Sequence, residues 1–320
     1  MRPTFSIIVF TVLSGAGYGV WFLLGVGLLF VWPHCGHKAG PDTANIVSLC
    51  TYPSIIRYAL FTGFVLVSVG LSASVAHLGR PIRAWRALSQ WRSSWLSREG
   101  VAALLVYLPA MVIAAYDFLS TEIGPESSAA RMQLWRVLDS LHKPLGALLA
   151  FGALLTVFCT ANIYRSLKPV RAWHNALVTP AYLLLGVYSG ALMLGALATW
   201  PHAWANDELP FLLGATGVLA AACAIIKYLY WRDIDRAPQI DAGRATGLDT
   251  LGVVRSFEAP HTEENYLTHE MGFVLARKHS TKLRSIALIV GFIAPALLAL
   301  LGLFVPAGQT AAIWLALCFG

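Results

Sequence analysis

Charge is the first thing this chain lacks. Asp, Glu, Lys and Arg make up 12% of its 320 residues, against 57% for hydrophobic types, whereas a soluble domain is about a quarter charged. With a mean hydropathy of +0.65, a soluble fold would have too little polar surface to cover itself. Acidic residues are the scarcer kind: 16 Asp and Glu stand against 23 Lys and Arg, a formal charge of +7. In a soluble protein that excess would point to nucleic acid. Here the basic residues fall between apolar runs, as they do beside membrane helices, and no nucleic-acid partner is expected.

Cysteine is also sparse. The five cysteines are scattered, which excludes a clustered iron–sulfur ligand set. No zinc spacing, glycine-rich phosphate loop or hydrolase nucleophile motif is present, and no metal site is expected. Cys159, Cys223 and Cys318 lie in apolar runs and read as packing residues. Cys35 and Cys50 share the first loop; they are either a disulfide in an oxidising compartment or two free thiols. No cleavable signal peptide is expected, since the apolar run after Met1-Arg2-Pro3 continues to about Trp32, too far for a signal core.

What the chain has in abundance is long apolar runs. About 20 residues cross a bilayer. Runs of that order lie near Phe5–Trp32, Ile55–Leu78, Gly100–Leu119, Pro144–Tyr164, Leu177–Trp200, Pro210–Trp231 and Ile286–Val305. An eighth starts at Ala307 and is short for a full span. The expected fold is all-α, a polytopic transmembrane bundle of about eight helices. It forms one domain over residues 1–320, with a polar loop at about 233–284. Within that loop, Asp233–Gly247 reads as irregular and Thr262–Arg284 as a helix, lying on the membrane surface or docking a soluble partner. Loops after the second, fourth and sixth spans, with Arg2, hold 18 of the 23 Lys and Arg. The positive-inside rule then puts the N-terminus and these loops in the cytoplasm; docking of an acidic partner would produce the same asymmetry.

One connection concentrates unusual chemistry. His77-Leu-Gly-Arg-Pro-Ile-Arg-Ala-Trp85 leaves the second span, passes Arg86 and Arg92, and reaches Ser97-Arg98-Glu99. Ionisable residues at membrane depth are costly and mark function by default. His77 titrates near physiological pH, and Pro81 ends the second helix near it. Together with Glu99 it suits a quinone site, where two-electron reduction takes up two protons. Arg80 and Arg83 would hold Glu99 ionised, bind a quinone carbonyl, or face lipid phosphate.

A second group is Tyr164-Arg-Ser, Trp173, His174 and Thr179-Pro180, a candidate wall of the same pocket. Pro180 is expected to kink the fifth helix, with Thr179 satisfying a freed backbone group. Trp85, Trp91, Trp95 and Trp173 read as interfacial anchors. Haem b, held by His77 and His174, is the less favoured cofactor reading. Asp139 and Lys143 are spaced as a helical ion pair, with His142 beside them.

The run His77–Trp85 followed by Leu96-Ser-Arg-Glu99 resembles the second-to-third-helix signature of the dimethyl sulfoxide reductase membrane-anchor family. The Tyr164, Trp173 and Thr179-Pro180 pattern is similar to that family's fourth-to-fifth-helix region. The resemblance implies the third, membrane subunit of a molybdopterin oxidoreductase in a bacterial cytoplasmic membrane. Its partners would be a four-cluster ferredoxin-like iron–sulfur subunit and a catalytic molybdenum subunit. Its cofactor would be ubiquinone or menaquinone, bound at the positions of His77 and Glu99, without haem. The longer first loop and the expanded sixth-to-seventh connection depart from the best-known member. Asn265–Phe273 looks like sulfite-oxidising relatives, which implies a quinone-reducing sulfite dehydrogenase anchor. The alternatives are a dimethyl sulfoxide-type anchor oxidising quinol, a secondary transporter, and an anchor without quinone.

Overall fold

The structure is a computed structural model that describes residues 5–30, 52–76, 80–121, 128–168, 170–199, 209–236, 242–255, 257 and 278–304. Among these, seven helical segments are long and apolar enough to cross a membrane. The helices are α1 (Phe5–Phe30), α2 (Tyr52–Ala76), α3 (Trp95–Leu105), α4 (Tyr107–Thr121) and α5 (Ala129–Arg165). There follow α6 (Val178–Thr199), α7 (Leu209–Arg236), the short α8 (Ala242–Thr246), α9 (Ser280–Leu288) and α10 (Ala294–Gly302). α3 and α4 together make the third span, and α9 and α10 the seventh. The eighth apolar run, most of the polar loop, and Cys35 and Cys50 lie outside the described residues.

The bundle is arranged around α1, which packs against α2, α5 and α6. Its approach to α6 is backbone to backbone. A Cβ on Gly19 would overlap the Gly186 carbonyl, and one on Gly190 would overlap the backbone of Gly19. Small residues at such crossings let helices meet closely where lipid offers no hydrophobic drive. Trp21, Leu24, Leu149 and Leu213 fill the centre, fully buried. The Trp21 indole donates to the Leu60 carbonyl at 3.4 Å, joining α1 to α2. A smaller apolar cluster of Tyr188, Ala220, Cys223 and Phe292 holds α7 and the last span against α6.

Prolines explain the breaks. Pro109 cannot donate to the carbonyl of Leu105, and its ring crowds that turn, so the third span divides at Val106. Pro295 likewise cannot donate to the Gly291 carbonyl. There the chain forms a π-helical turn, Ile289–Ile293, and the Tyr188 hydroxyl donates to Gly291 at 3.0 Å. Within lipid each freed carbonyl needs such a donor.

Pro180 departs from expectation. It is the third residue of α6, where the backbone N–H has no intrahelical partner to lose, so it fits the first turn and makes no mid-helix kink. The fourth span also departs: α5 has 37 residues, about 55 Å at the helical rise, and begins well before Pro144. The Asp139–Lys143 pair is not formed. Asp139 instead accepts from the Tyr116 hydroxyl at 2.9 Å, and its carbonyl contacts Nδ1 of His142.

Candidate functional site

Residues Pro81–Gln90 form a 3₁₀ segment lying across the start of α3. The Ser97 hydroxyl donates to the Ala87 carbonyl, and a Cβ on Gly100 would press on the Leu88 side chain. Arg98 pins the segment's end. Its guanidinium donates to the carbonyls of Trp91 at 3.0 Å and Arg92 at 2.6 Å and sits 4.4 Å from the centre of the Trp95 ring. Arg86 and Arg92 also lie over Trp85 and Trp91. Four of the five arginines, Arg80, Arg83, Arg86 and Arg92, are exposed, so this end of the bundle presents a cationic surface.

Beneath it is Glu99. The third span begins at Trp95, not Gly100, so Glu99 lies one turn inside the helix, only 6% exposed. Its Oε1 accepts from the Thr160 hydroxyl of α5 at 2.6 Å, and Thr160 also donates to the carbonyl of Thr156. Among the described residues neither Arg80 nor Arg83 forms an ion pair with it. The expectation that these arginines hold Glu99 ionised is therefore corrected: they are exposed on the loop, and the carboxyl group is turned into the bundle.

Tyrosines from three helices lie in the same region as this carboxyl group. Tyr18 of α1, Tyr164 of α5 and Tyr182 of α6 are all within its electrostatic reach. Tyr164 and Tyr182 are stacked with ring centres 5.7 Å apart. The indole of Trp173 meets Tyr164 edge-on at 5.3 Å. Tyr18 is 3% exposed, and its hydroxyl is buried without a hydrogen-bond partner. The same is true of Thr179, so that side chain does not satisfy a freed backbone group as expected. The unsatisfied Tyr18 hydroxyl, near the buried carboxyl group, is a donor left for a polar ligand or water.

The structure thus brings together Glu99, Tyr164 and Trp173 from the expected set. It adds Thr160, Tyr18 and Tyr182, which hydropathy and motif do not single out. Thr156, Thr160 and Tyr164 recur every four residues along α5, a polar stripe on one helical face that could have revealed them. α2 ends at Ala76, immediately before His77, which lies outside the described residues. His174 is exposed at a turn, and its Nδ1 meets the Arg165 carbonyl at 2.6 Å. Among the described residues no group of three or more His, Cys, Asp or Glu is placed to hold a metal ion.

A polytopic helical bundle carrying a buried carboxyl group beneath a cationic loop defines a class of integral membrane subunit. The chain belongs to the DMSO reductase anchor subunit (DmsC) family, whose pattern matches residues 1–298. It is 29% identical over 303 residues to a sulfite dehydrogenase subunit of Allochromatium vinosum, covering 93% of this chain and 86% of that protein. It is 26% identical over 252 residues to an anaerobic dimethyl sulfoxide reductase polypeptide of Haemophilus influenzae, covering 78% of each. No solved structure matches the chain. The protein is a multi-pass membrane anchor of the kind found in oxidoreductase complexes.

Proposed function

We propose that this chain is the quinone-reactive anchor of a molybdopterin oxidoreductase, exchanging electrons between an iron–sulfur subunit and the membrane quinone pool. The observation that carries this reading is Glu99. It is a buried carboxyl group bonded to a hydroxyl and, among the described residues, not to a cation, with three tyrosines in its electrostatic reach at the cationic end of the bundle. Converting a quinone to a quinol consumes two electrons and two protons. A carboxyl group free of a fixed cation can give up and regain a proton, and Thr160 orients it. The exposed arginines of residues 80–92 form a surface for an acidic electron-transfer partner, which would supply the electrons at the Glu99 end of the bundle. His77, adjacent to the end of α2, is the second proton-exchanging group in the proposal.

Similarity to the Allochromatium vinosum protein over most of both chains favours sulfite oxidation, with electrons flowing toward quinone. The basic loops favour a cytoplasmic position for the Glu99 end, in a bacterial inner membrane. The test is turnover of the intact complex with a water-soluble quinone, alongside a dye that accepts electrons directly from the soluble subunits. Glu99→Gln and His77→Ala are expected to abolish most quinone-coupled turnover and leave dye activity unchanged. Normal quinone turnover in both variants would sink the proposal.

A further inference from the structure

At the opposite end of the third span, α2 and α4 enclose a cleft of about 350 Å³. Its base is Trp21, fully buried in the middle of α1, packed edge-on against Tyr107 at 5.2 Å. Its lips are Phe61, Phe64, Met111 and Phe118, all exposed, so the cleft opens sideways toward the lipid. One end is polar. Asp117 is buried, and it accepts from Nε of Arg57 at 2.9 Å, while the Arg57 side chain remains 52% exposed. The carboxylate takes Nε, and among the described residues the terminal N–H groups of this half-exposed side chain have no hydrogen-bond acceptor.

Position identifies that acceptor. Asp117 follows Glu99 by 18 positions, about 27 Å along a helix, close to the roughly 30 Å thickness of the hydrocarbon core. The Arg57–Asp117 pair therefore stands at the headgroup layer of the leaflet opposite Glu99. The cleft runs inward from it, about 10 Å along α2 from Arg57 to Phe64 and about 15 Å along α4 from Asp117 to Tyr107. A guanidinium fork at headgroup depth matches a phosphate oxygen pair, best where the headgroup has no ammonium of its own to compete for that phosphate, and an aromatic-lined cleft below it matches one acyl chain.

We infer that this cleft binds an anionic phospholipid, with its phosphate on Arg57 and an acyl chain reaching down to Trp21 and Tyr107. The site is separate from Glu99, and the inference does not depend on the quinone reading. Asp117 acts as the positioning residue that fixes the guanidinium.

The full chain, reconstituted in nanodiscs of mixed phosphatidylglycerol and phosphatidylethanolamine, would be extracted into mild detergent and its retained lipid measured by mass spectrometry. Wild type is expected to retain phosphatidylglycerol in preference to phosphatidylethanolamine. Arg57→Gln should lower that retention about tenfold, the loss of one charge-assisted contact. Ala114 lines the cleft from an exposed position, so Ala114→Phe fills the space without entering the core and should lower retention similarly. Glu99→Gln should leave retention unchanged. A retained pool with the composition of the bilayer, wild-type retention by Ala114→Phe, or recovery of a quinone in place of phosphatidylglycerol would overturn the inference.

Discussion

Two acidic side chains on one span have been given opposite surroundings. Glu99 and Asp117 are both buried, at 6% and 5% exposure. Asp117 is matched by a guanidinium, while Glu99 has a threonine hydroxyl and tyrosine neighbours. A buried carboxylate that accepts from a guanidinium is tied to a partner on another helix. One that rests on a hydroxyl has no cation to release when it takes part in proton transfer. The contrast separates a carboxyl group that holds structure from one that can take part in chemistry, on the same span and at similar burial.

Five substitutions test this division. The largest effect belongs to Glu99→Gln, which keeps the shape and the Thr160 contact but cannot exchange a proton. Quinone-coupled turnover should fall at least about 100-fold, the usual scale for removing an acid–base group, while the melting temperature in detergent changes little. Thr160→Val should follow, lowering turnover by about tenfold through loss of the carboxyl group's orienting donor. Thr160→Ser should restore most of it, which a purely packing role for this residue would not allow.

At the other end the readout is stability. Arg57→Gln withdraws the guanidinium from a carboxylate that stays buried, at a cost of about 1–3 kcal/mol, seen as a lower thermal midpoint with quinone turnover preserved. Asp117→Asn is the smallest change, below about 1 kcal/mol, because the Arg57 it leaves behind is half-exposed and can turn to solvent. Equal destabilisation by these two variants, or a turnover defect in either, would mean that the two ends are not divided in this way.

Much of the fold is legible because hydropathy dictates it: seven of the apolar runs form membrane-length helices. The boundaries move where the rule is too simple. Hydropathy starts the third span at Gly100, since Trp95–Glu99 is polar enough to read as loop, yet those residues form its first turn against the 3₁₀ segment. Pro180 reads as a breaker, although it occupies a first-turn position that tolerates it.

The site is half legible. Glu99 stands out through the cost of its burial, and Tyr164 and Trp173 through their neighbourhood. Thr160, Tyr18 and Tyr182 are hidden because hydroxyl residues inside apolar runs leave hydropathy almost unchanged. Only the crossing of α1, α5 and α6 brings them to one carboxyl group. Arg57 and Asp117 carry a plain signal, one charge inside each of two apolar runs, but their pairing across 60 residues required the structure.

The length of α5 has a practical consequence. A helix of about 55 Å in a core of about 30 Å overshoots the lipid, and its Arg165 end is fixed near the tyrosine cluster. The excess is taken up by tilt or by turns beyond the far surface, and the bond from Tyr116 to Asp139 ties the N-terminal part of the helix to α4. An epitope inserted at Ser128, the exposed cap of that helix, would report by its accessibility in sealed vesicles which compartment this end of the bundle meets.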